Sequence, residues 1–391
     1  MPPPPPSRHV PALMDELLEE IFIRLPLDDP AILFRAALVC KSWHRLISGA
    51  TLRRRLLEFH GSPPPLRGFF CRVGSEPASR FVPASSPSSS SLRRLPSGDD
   101  VTPRWRPVGS LHGCVLIEDE DAPGLCDMHI NLALWNPIGG EVRRLPRPPV
   151  FTYQWNAALL CAAPGCDHLD CGYGGEHLQV VLAGTRPLDG VTSACVYSSE
   201  QRAWSKPVSA RFNGVQVKVG SSARAIAGNA LYLLCDMTAN IIEYDLSKQE
   251  LLLIRTPRIP GHVMWENWHR VVLMTTEGGG LGFAMTQESK VFMWLREAAG
   301  LDTKEVGWVQ QRVIELDKTM IPAWNHSVPF KKPYVNAVAE HVGVILIDTC
   351  DRLFSIDLKS GLLTKLLVSN YVIRDIVPYV SFCTPGISPV S

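Results

Sequence analysis

The chain has 391 residues, a formal net charge of +1 at pH 7, and 20% charged residues. This length accommodates more than one domain, and the near-neutral charge gives no indication of bulk binding to nucleic acid or to an acidic membrane surface. The 29 glycines and 33 prolines are typical of a fold with many turns.

The N-terminal sequence, MPPPPPSRHVP, predicts a solvated, disordered, proline-rich tail over residues 1–10. It lacks the positive-then-apolar pattern of a secretory signal, and no apolar run reaches the length of a membrane span. The 11 cysteines are odd in number and stand in hydrophobic surroundings, so we expect reduced thiols. These features predict a location in the cytoplasm, the nucleus or both.

Three short helices are predicted within residues 11–50. Apolar residues repeat at helical spacing from Leu17 onward until Pro26 ends the first helix. An Asp-Pro pair at residues 29–30 fits the start of a second helix, and residues 39–47 form a third. Three such helices cannot bury all of their apolar side chains among themselves. The surplus apolar surface therefore predicts a docking partner.

This stretch resembles an F-box. The most specific element of that pattern is present as VCKSW at residues 39–43, followed by Leu46 and Ile47. Its second Leu-Pro pair is present at residues 25–26, and its first appears as residues 13–14, where methionine replaces the proline. The alternative is that these residues simply form the core of a helical hairpin.

The resemblance implies that this unit docks on a Skp-family adaptor. The residues expected to make that contact are Leu13, Met14, Leu17, Ile21, Leu25, Pro26, Leu33, Val39, Cys40, Trp43 and Ile47.

The chain changes character after the helices. Residues 51–65 predict a basic connector that ends in a proline-rich segment, and short apolar runs that read as strands begin at Leu66. Residues 84–100 are rich in serine and proline and predict a flexible loop.

A pattern of short strands recurs beyond that loop. Its matching positions, 47 to 62 residues apart, are Trp135, Tyr197, Tyr244, Trp294 and Ile356. Propeller blades run roughly 40–50 residues, so residues 66–391 predict about six blades. Five of these blades are clear in the sequence, and residues 66–110 help to build an irregular one. The alternatives are a β-sandwich or two small β domains.

The larger region also resembles the propeller-like, kelch-like domain that follows the F-box in many plant F-box proteins. The resembling pieces are LHG at residues 111–113, WNP at residues 135–137 and the cysteines between residues 161 and 171. The chain is thus predicted to be an α+β multidomain protein. A small three-helix F-box at residues 11–50 precedes an all-β, propeller-like, substrate-recognition domain at residues 66–391.

One cluster of potential metal ligands stands out. It consists of Cys161, Cys166, His168, Cys171 and His177. This set could in principle make a tetrahedral zinc site, but its spacing is irregular and no Cys-x-x-Cys pair anchors it. We therefore predict a structural loop, with no metal and no cofactor.

Catalytic signatures are absent from the sequence. It contains no Gly-x-Ser-x-Gly elbow, His-Glu-x-x-His motif, P-loop or dinucleotide fingerprint. The glycine-rich run at residues 278–282 predicts a tight turn between strands. The chain is therefore predicted not to be an enzyme, and no catalytic residues are assigned.

Four tryptophans lie outside the recurring strand pattern and are predicted to be exposed, substrate-binding aromatics: Trp155, Trp265, Trp268 and Trp324. Together, the resemblances imply the substrate receptor of an SCF-type cullin-RING ubiquitin ligase, which holds an unknown protein target. The alternatives are a ligand-binding or enzymatic propeller with a helical appendage, or a scaffold acting outside a ligase.

Overall fold

The computed structural model describes the following residues: 13–26, 30–60, 66–74, 79–84, 93–94, 104–111, 113–120, 129–137, 140–152, 154–163, 177–186, 188–236, 238, 240–256, 271–276, 278–287, 289–297, 307–316, 333–349, 352–368 and 373–381. They divide into two compact units, a helical one within residues 13–60 and a β one within residues 66–381. None of the helices in this part of the chain is long and apolar enough to cross a membrane.

The helical unit contains the three predicted helices and a fourth. Their bounds are α1 (Asp15–Phe22), α2 (Pro30–Ala37), α3 (Lys41–Ser48) and α4 (Ala50–His60). Two acidic residues in the first turn of α1 favour its start through the helix dipole. The core contains Leu18 and Phe22, and the Phe22 ring meets Trp43 edge-on at a centroid distance of 5.1 Å.

The fourth helix belongs to this unit and is not a connector. Leu52 and Leu56 of α4 are completely buried. Arg55 donates to Glu19 over 2.8 Å and also bonds Glu20, which ties α4 to α1. The domain boundary predicted at residue 50 is therefore too early, because the first three helices need α4 to cover their apolar faces.

The β unit contains 26 strands among the residues that the structure describes. The first thirteen are β1 (Leu66–Val73), β2 (Ser79–Pro83), β3 (Arg93–Arg94), β4 (Trp105–Leu111), β5 (Cys114–Asp119), β6 (Leu132–Trp135), β7 (Val142–Arg144), β8 (Gln154–Cys161), β9 (Leu178–Arg186), β10 (Val191–Ser198), β11 (Ala203–Trp204), β12 (Val208–Arg211) and β13 (Gln216–Val217). The others are β14 (Arg224–Ala227), β15 (Ala230–Asp236), β16 (Asn240–Asp245), β17 (Glu250–Arg255), β18 (Val272–Thr275), β19 (Leu281–Gln287), β20 (Lys290–Arg296), β21 (Trp308–Glu315), β22 (Tyr334–Ala339), β23 (Val344–Asp348), β24 (Arg352–Asp357), β25 (Leu363–Val368) and β26 (Ile373–Val380).

These strands form six antiparallel sheets, which are the blades of a propeller. The strand orders are β26-β1-β2-β3, β4-β5-β6-β7, β8-β9-β10-β11 with β12 on β10, β13-β15-β16-β17 with β14 on β15, β18-β19-β20-β21, and β22-β23-β24-β25. Each blade has one inner strand, and these are β26, β4, β8, β14, β18 and β22 in order around the ring. Each inner strand lies beside the inner strand of the next blade, and β22 lies beside β26, which closes the ring. The predicted six-bladed propeller is confirmed.

The ring closes between the two ends of the β unit. β26 pairs antiparallel with β1, and Arg72 donates to Asp375 over 2.9 Å across a sequence separation of 303 residues. The prediction that residues 66–110 build one irregular blade is only partly right, because β4 opens the next blade. Within the predicted loop at residues 84–100, Arg93–Arg94 forms a strand, and most of the remainder lies outside the described residues.

The recurring positions of the sequence occupy equivalent places in the fold. Each lies on the third strand of its blade: Trp135, Tyr197, Tyr244, Trp294 and Ile356. After two of these strands, an aspartate closes the turn by accepting backbone N–H groups, as Asp245 does from Ser247 and Lys248 at 2.9 Å. These hydrogen bonds lower the pKa of Asp245. The glycine-rich run is a tight turn as predicted, with Gly279 in the left-handed region at φ 75°.

Neighbouring blades share apolar cores around the whole ring. Separate clusters of buried residues join each blade to the next. Tryptophans near the rim add polar links, because Trp204 Nε1 donates to the Pro146 carbonyl at 2.6 Å and Trp308 Nε1 to the Arg255 carbonyl at 3.3 Å. The ring is thus held by side-chain packing between blades and by strand pairing within them.

Candidate functional site

The helical unit exposes a set of large apolar side chains, which we call the exposed apolar set. They are 46–70% exposed and consist of Leu13, Met14, Leu17, Ile21, Leu38 and Val39. Single exposed apolar residues are ordinary, but these six, together with Phe59 of α4 at 53%, leave a large apolar surface uncovered in this small unit.

The geometry of α1 explains this exposure. Leu18 and Phe22 lie four residues apart and fill the core, whereas Leu17 and Ile21 repeat with the same spacing on the adjacent face. An eight-residue helix cannot bury both faces against one neighbouring layer. The surplus of apolar surface expected from the sequence is therefore present in the structure.

Only some of the residues predicted for adaptor contact are available on the surface. Pro26 and Cys40 are exposed, and Leu25 and Trp43 are half-buried. Leu33 and Ile47 are 1% and 0% exposed, so the prediction that they contact a partner is wrong. Both side chains fill the interior between the helices, where they stabilise the unit itself.

The prediction of an exposed aromatic at Trp155 is also wrong. Trp155 is 3% exposed on β8 and belongs to the core between two blades. The Arg106 guanidinium lies over its ring, 4.9 Å from the centroid. The other predicted aromatics, Trp265, Trp268 and Trp324, lie outside the described residues.

The cysteine- and histidine-containing segment is described only at its two ends. Cys161 ends β8, and the His177 carbonyl accepts the Ala162 N–H at 2.8 Å as the hairpin into β9 begins. Cys166, His168 and Cys171 lie outside the described residues. Within the described ranges, no group of three histidine, cysteine or acidic residues could hold a metal ion.

A network of buried and half-buried charges lies where the closing blade meets the next blade, and we call it the charge network. Its members are Arg72, Arg106, Glu118, Glu120 and Asp375. Arg106 Nε is 2.6 Å from a Glu118 oxygen, and Arg72 Nη1 is 2.8 Å from a Glu120 oxygen. Because its members come from β1, β4, β5, β26 and the residue after β5, no local sequence pattern could have revealed it.

Burial and charge compete within this network. Burial raises the pKa of Glu118, although the charge of Arg106 opposes that shift. Burial would lower the pKa of Arg106, but the nearby carboxylates outweigh it, so this pKa is raised. Arg106 is therefore the cation that favours the ionised form of Glu118 in this interior position.

We expect Arg106→Gln to lower the free energy of unfolding of the propeller by about 3–5 kcal/mol at neutral pH, because it leaves buried acids without their cation. The folded-state pKa of Glu118, already raised, would rise further. A raised acid pKa means that stability falls as pH rises through that pKa. The loss should therefore be larger at pH 7.5 than at pH 5 in urea unfolding.

The control for this prediction is Arg186→Gln, which breaks an exposed ion pair with Asp189 at 2.7 Å. Such a surface pair contributes only about 0–1 kcal/mol. An equal loss in both variants, or a loss in the Arg106 variant that does not change with pH, would contradict the assignment.

A short 3₁₀ turn, Ser221–Ala223, occupies the centre of the ring. It lies beside the inner strands β4, β18, β22 and β26. Ser221 Oγ donates to the Ile376 carbonyl at 2.8 Å, and Asn156 Nδ2 donates to the Gly220 carbonyl at 2.7 Å. This segment is therefore anchored to two different blades of the propeller.

The two units define a chain in which a helical F-box-like domain is joined to a six-bladed β-propeller. The F-box-like family model matches residues 15–58, which include α4 through Glu58. The chain is also similar to an F-box/LRR-repeat protein of Arabidopsis thaliana, with 21% identity over 355 residues that cover 88% of this chain and 76% of the relative. The kelch-like subtype and the plant origin stay predictions.

Solved structures similar to the chain include two bacterial proteins. TolB from Acinetobacter baumannii has 11% identity and a TM-score of 0.43, with 86% of this chain and 73% of TolB covered. The periplasmic gluconolactonase PpgL from Pseudomonas aeruginosa has 14% identity and a TM-score of 0.40, with 78% of this chain and 83% of PpgL covered.

Proposed function

We propose that the chain is the substrate-receptor subunit of an SCF-type cullin-RING ubiquitin ligase, working in the cytoplasm or the nucleus. The observation that carries this proposal is the exposed apolar set on an F-box-like domain. Domains of this kind generally bind Skp-family adaptors, and this surface offers the apolar anchors that such a contact needs. The propeller recruits the protein target.

The chain itself catalyses no bond chemistry in this proposal. Its contribution is to hold a target close to the conjugating enzyme that the ligase carries. This raises the effective concentration of the target lysine and orients it for transfer. A propeller suits this task because its loops can vary in sequence while the blades keep their positions.

The test begins with the full chain and a recombinant Skp-family adaptor. We expect the two to elute as one complex in size-exclusion chromatography, and we expect a cullin and a RING subunit to join it. Failure of the full chain to bind the adaptor at micromolar concentration would contradict the proposal.

A second experiment separates a ligase receptor from an adaptor-bound scaffold. Proteins captured by the full chain in cells should gain ubiquitin when the chain is overexpressed, and they should lose it when the chain cannot bind the adaptor. Captured proteins whose ubiquitination is unchanged in both cases would favour the scaffold.

A further inference from the structure

Arg224 is a cation at the centre of the propeller that has no acidic partner among the residues that the structure describes. It is the first residue of β14, directly follows the central 3₁₀ turn and is half-buried. Its Nη1 donates to Asn156 Oδ1 at 3.2 Å. Among the described residues, no carboxylate lies within the 4.0 Å of an ion pair to its guanidinium. Most of its five N–H donors therefore have no acceptor in the described protein.

Asn156 is fixed in a way that directs its oxygen toward Arg224. Its Nδ2 donates to the carbonyls of Gly220 and Lys218, and its Oδ1 also accepts the Ala157 N–H at 2.9 Å. The amide orientation is therefore set by the backbone of the central segment. A neutral amide orients the guanidinium, but it supplies no negative charge.

The opposite wall is the backbone of β4 at Gly109. A Cβ at this position would stand 2.3 Å from Arg224 Nη2, so only glycine leaves room for the guanidinium in this place. The Arg224 side chain thus extends from β14 past Asn156 on β8 to Gly109 on β4. Three successive inner strands hold it across the centre of the ring.

The nearest charges do not neutralise Arg224. Burial lowers its pKa to about 10; the charge of Glu340 opposes this shift and that of Arg106 adds to it. Glu340 lies beyond ion-pair distance and accepts the Thr275 N–H at 2.7 Å, and burial raises its pKa. A half-buried guanidinium without a counter-charge loses part of its hydration, and an anion beside it would offset that cost.

We propose that the centre of the propeller is a binding site for a small anion of carboxylate or phosphate type, held by Arg224 and positioned by Asn156. The planar guanidinium matches the oxygen pairs of both groups. The ligand is small because the central 3₁₀ turn lies among the inner strands and occupies part of the space between them. This site goes beyond the proposed receptor function, because it requires neither the adaptor nor the target.

The test is thermal unfolding of the full chain with sodium phosphate or sodium succinate, against sodium chloride at matched ionic strength. At an anion concentration of ten times Kd, linkage predicts a rise in Tm of about 3 °C that saturates with concentration. The two anions distinguish the phosphate from the carboxylate source. Arg224→Gln should remove the rise, whereas Arg211→Gln, which removes an exposed arginine of β12, should keep it.

A second measurement uses the unaltered chain, in case the Arg224 variant does not fold. Hydrogen exchange of the amides of residues 221–224 should slow when the effective anion is added, because the ligand restrains the central segment. No saturable rise in Tm with either anion overturns the proposal. An equal rise in the folded Arg224→Gln variant overturns it as well, and so does unchanged exchange of these amides at saturating anion.

Discussion

Ending the chain at residue 372 is expected to abolish the cooperative unfolding transition of the propeller. The truncation removes β26, the inner strand of the closing blade, and leaves β1 paired on one side only, with β2. Four buried side chains go with it: Ile373, Ile376, Val377 and Tyr379. At about 1.5–3 kcal/mol for each such side chain, the loss approaches the whole stability of a typical domain, about 5–15 kcal/mol.

The matched control is a chain that ends at residue 381. This chain keeps β26 and also the contact in which Arg67 Nε donates to the Ser381 carbonyl at 2.7 Å. Near-ultraviolet circular dichroism during urea unfolding should show a transition in the control and none in the shorter chain. Equal urea midpoints in the two chains would show that the closing strand is dispensable.

Replacing Leu17 and Ile21 together by aspartate is expected to weaken binding of the Skp-family adaptor at least 100-fold. Both side chains are about half exposed on one face of α1, so they can anchor a partner without supporting the core. Truncating an apolar anchor at the centre of an interface costs about 2 kcal/mol or more, and every 1.4 kcal/mol is tenfold in Kd. Titration calorimetry with the adaptor measures this loss.

Two controls separate the loss of contact from the loss of folding. Leu362→Asp changes an exposed leucine of the propeller and should leave adaptor binding unchanged. Ile47→Ala removes a buried side chain and should destabilise the helical unit by about 2–5 kcal/mol. Full adaptor affinity in the folded double variant of Leu17 and Ile21 would exclude this surface as the docking site.

Sequence patterns predicted the parts of this fold that are local. Helical spacing located α1 to α3, and the recurring third-strand residues located five blades, because each pattern spans a few tens of residues at most. The helical spacing did not place α4 in the helical unit, because the role of α4 depends on its packing against α1. Sequence patterns also missed the pairing of β1 with β26, because no residue near either strand indicates a partner about 300 residues away.

The site residues were predicted with similar limits. Exposure of Leu17 and Ile21 follows from the surplus of apolar residues, but the same reasoning could not tell them from Leu33 and Ile47, which are equally apolar and buried. The burial of Trp155 depends on a neighbouring blade. No sequence pattern pointed to Arg224, because its role depends on which described residues surround it in the fold and on the absence of a carboxylate among them.

The position of the closing strand has a consequence for biosynthesis. Because β1 emerges from the ribosome about 300 residues before β26, translation at about 5–20 residues per second leaves its edge unpaired for roughly 15–60 s. An open strand edge is prone to intermolecular association, so nascent chains should need chaperone protection during this interval. The helical domain is complete long before, and we expect the adaptor to recognise chains that still cannot hold a target.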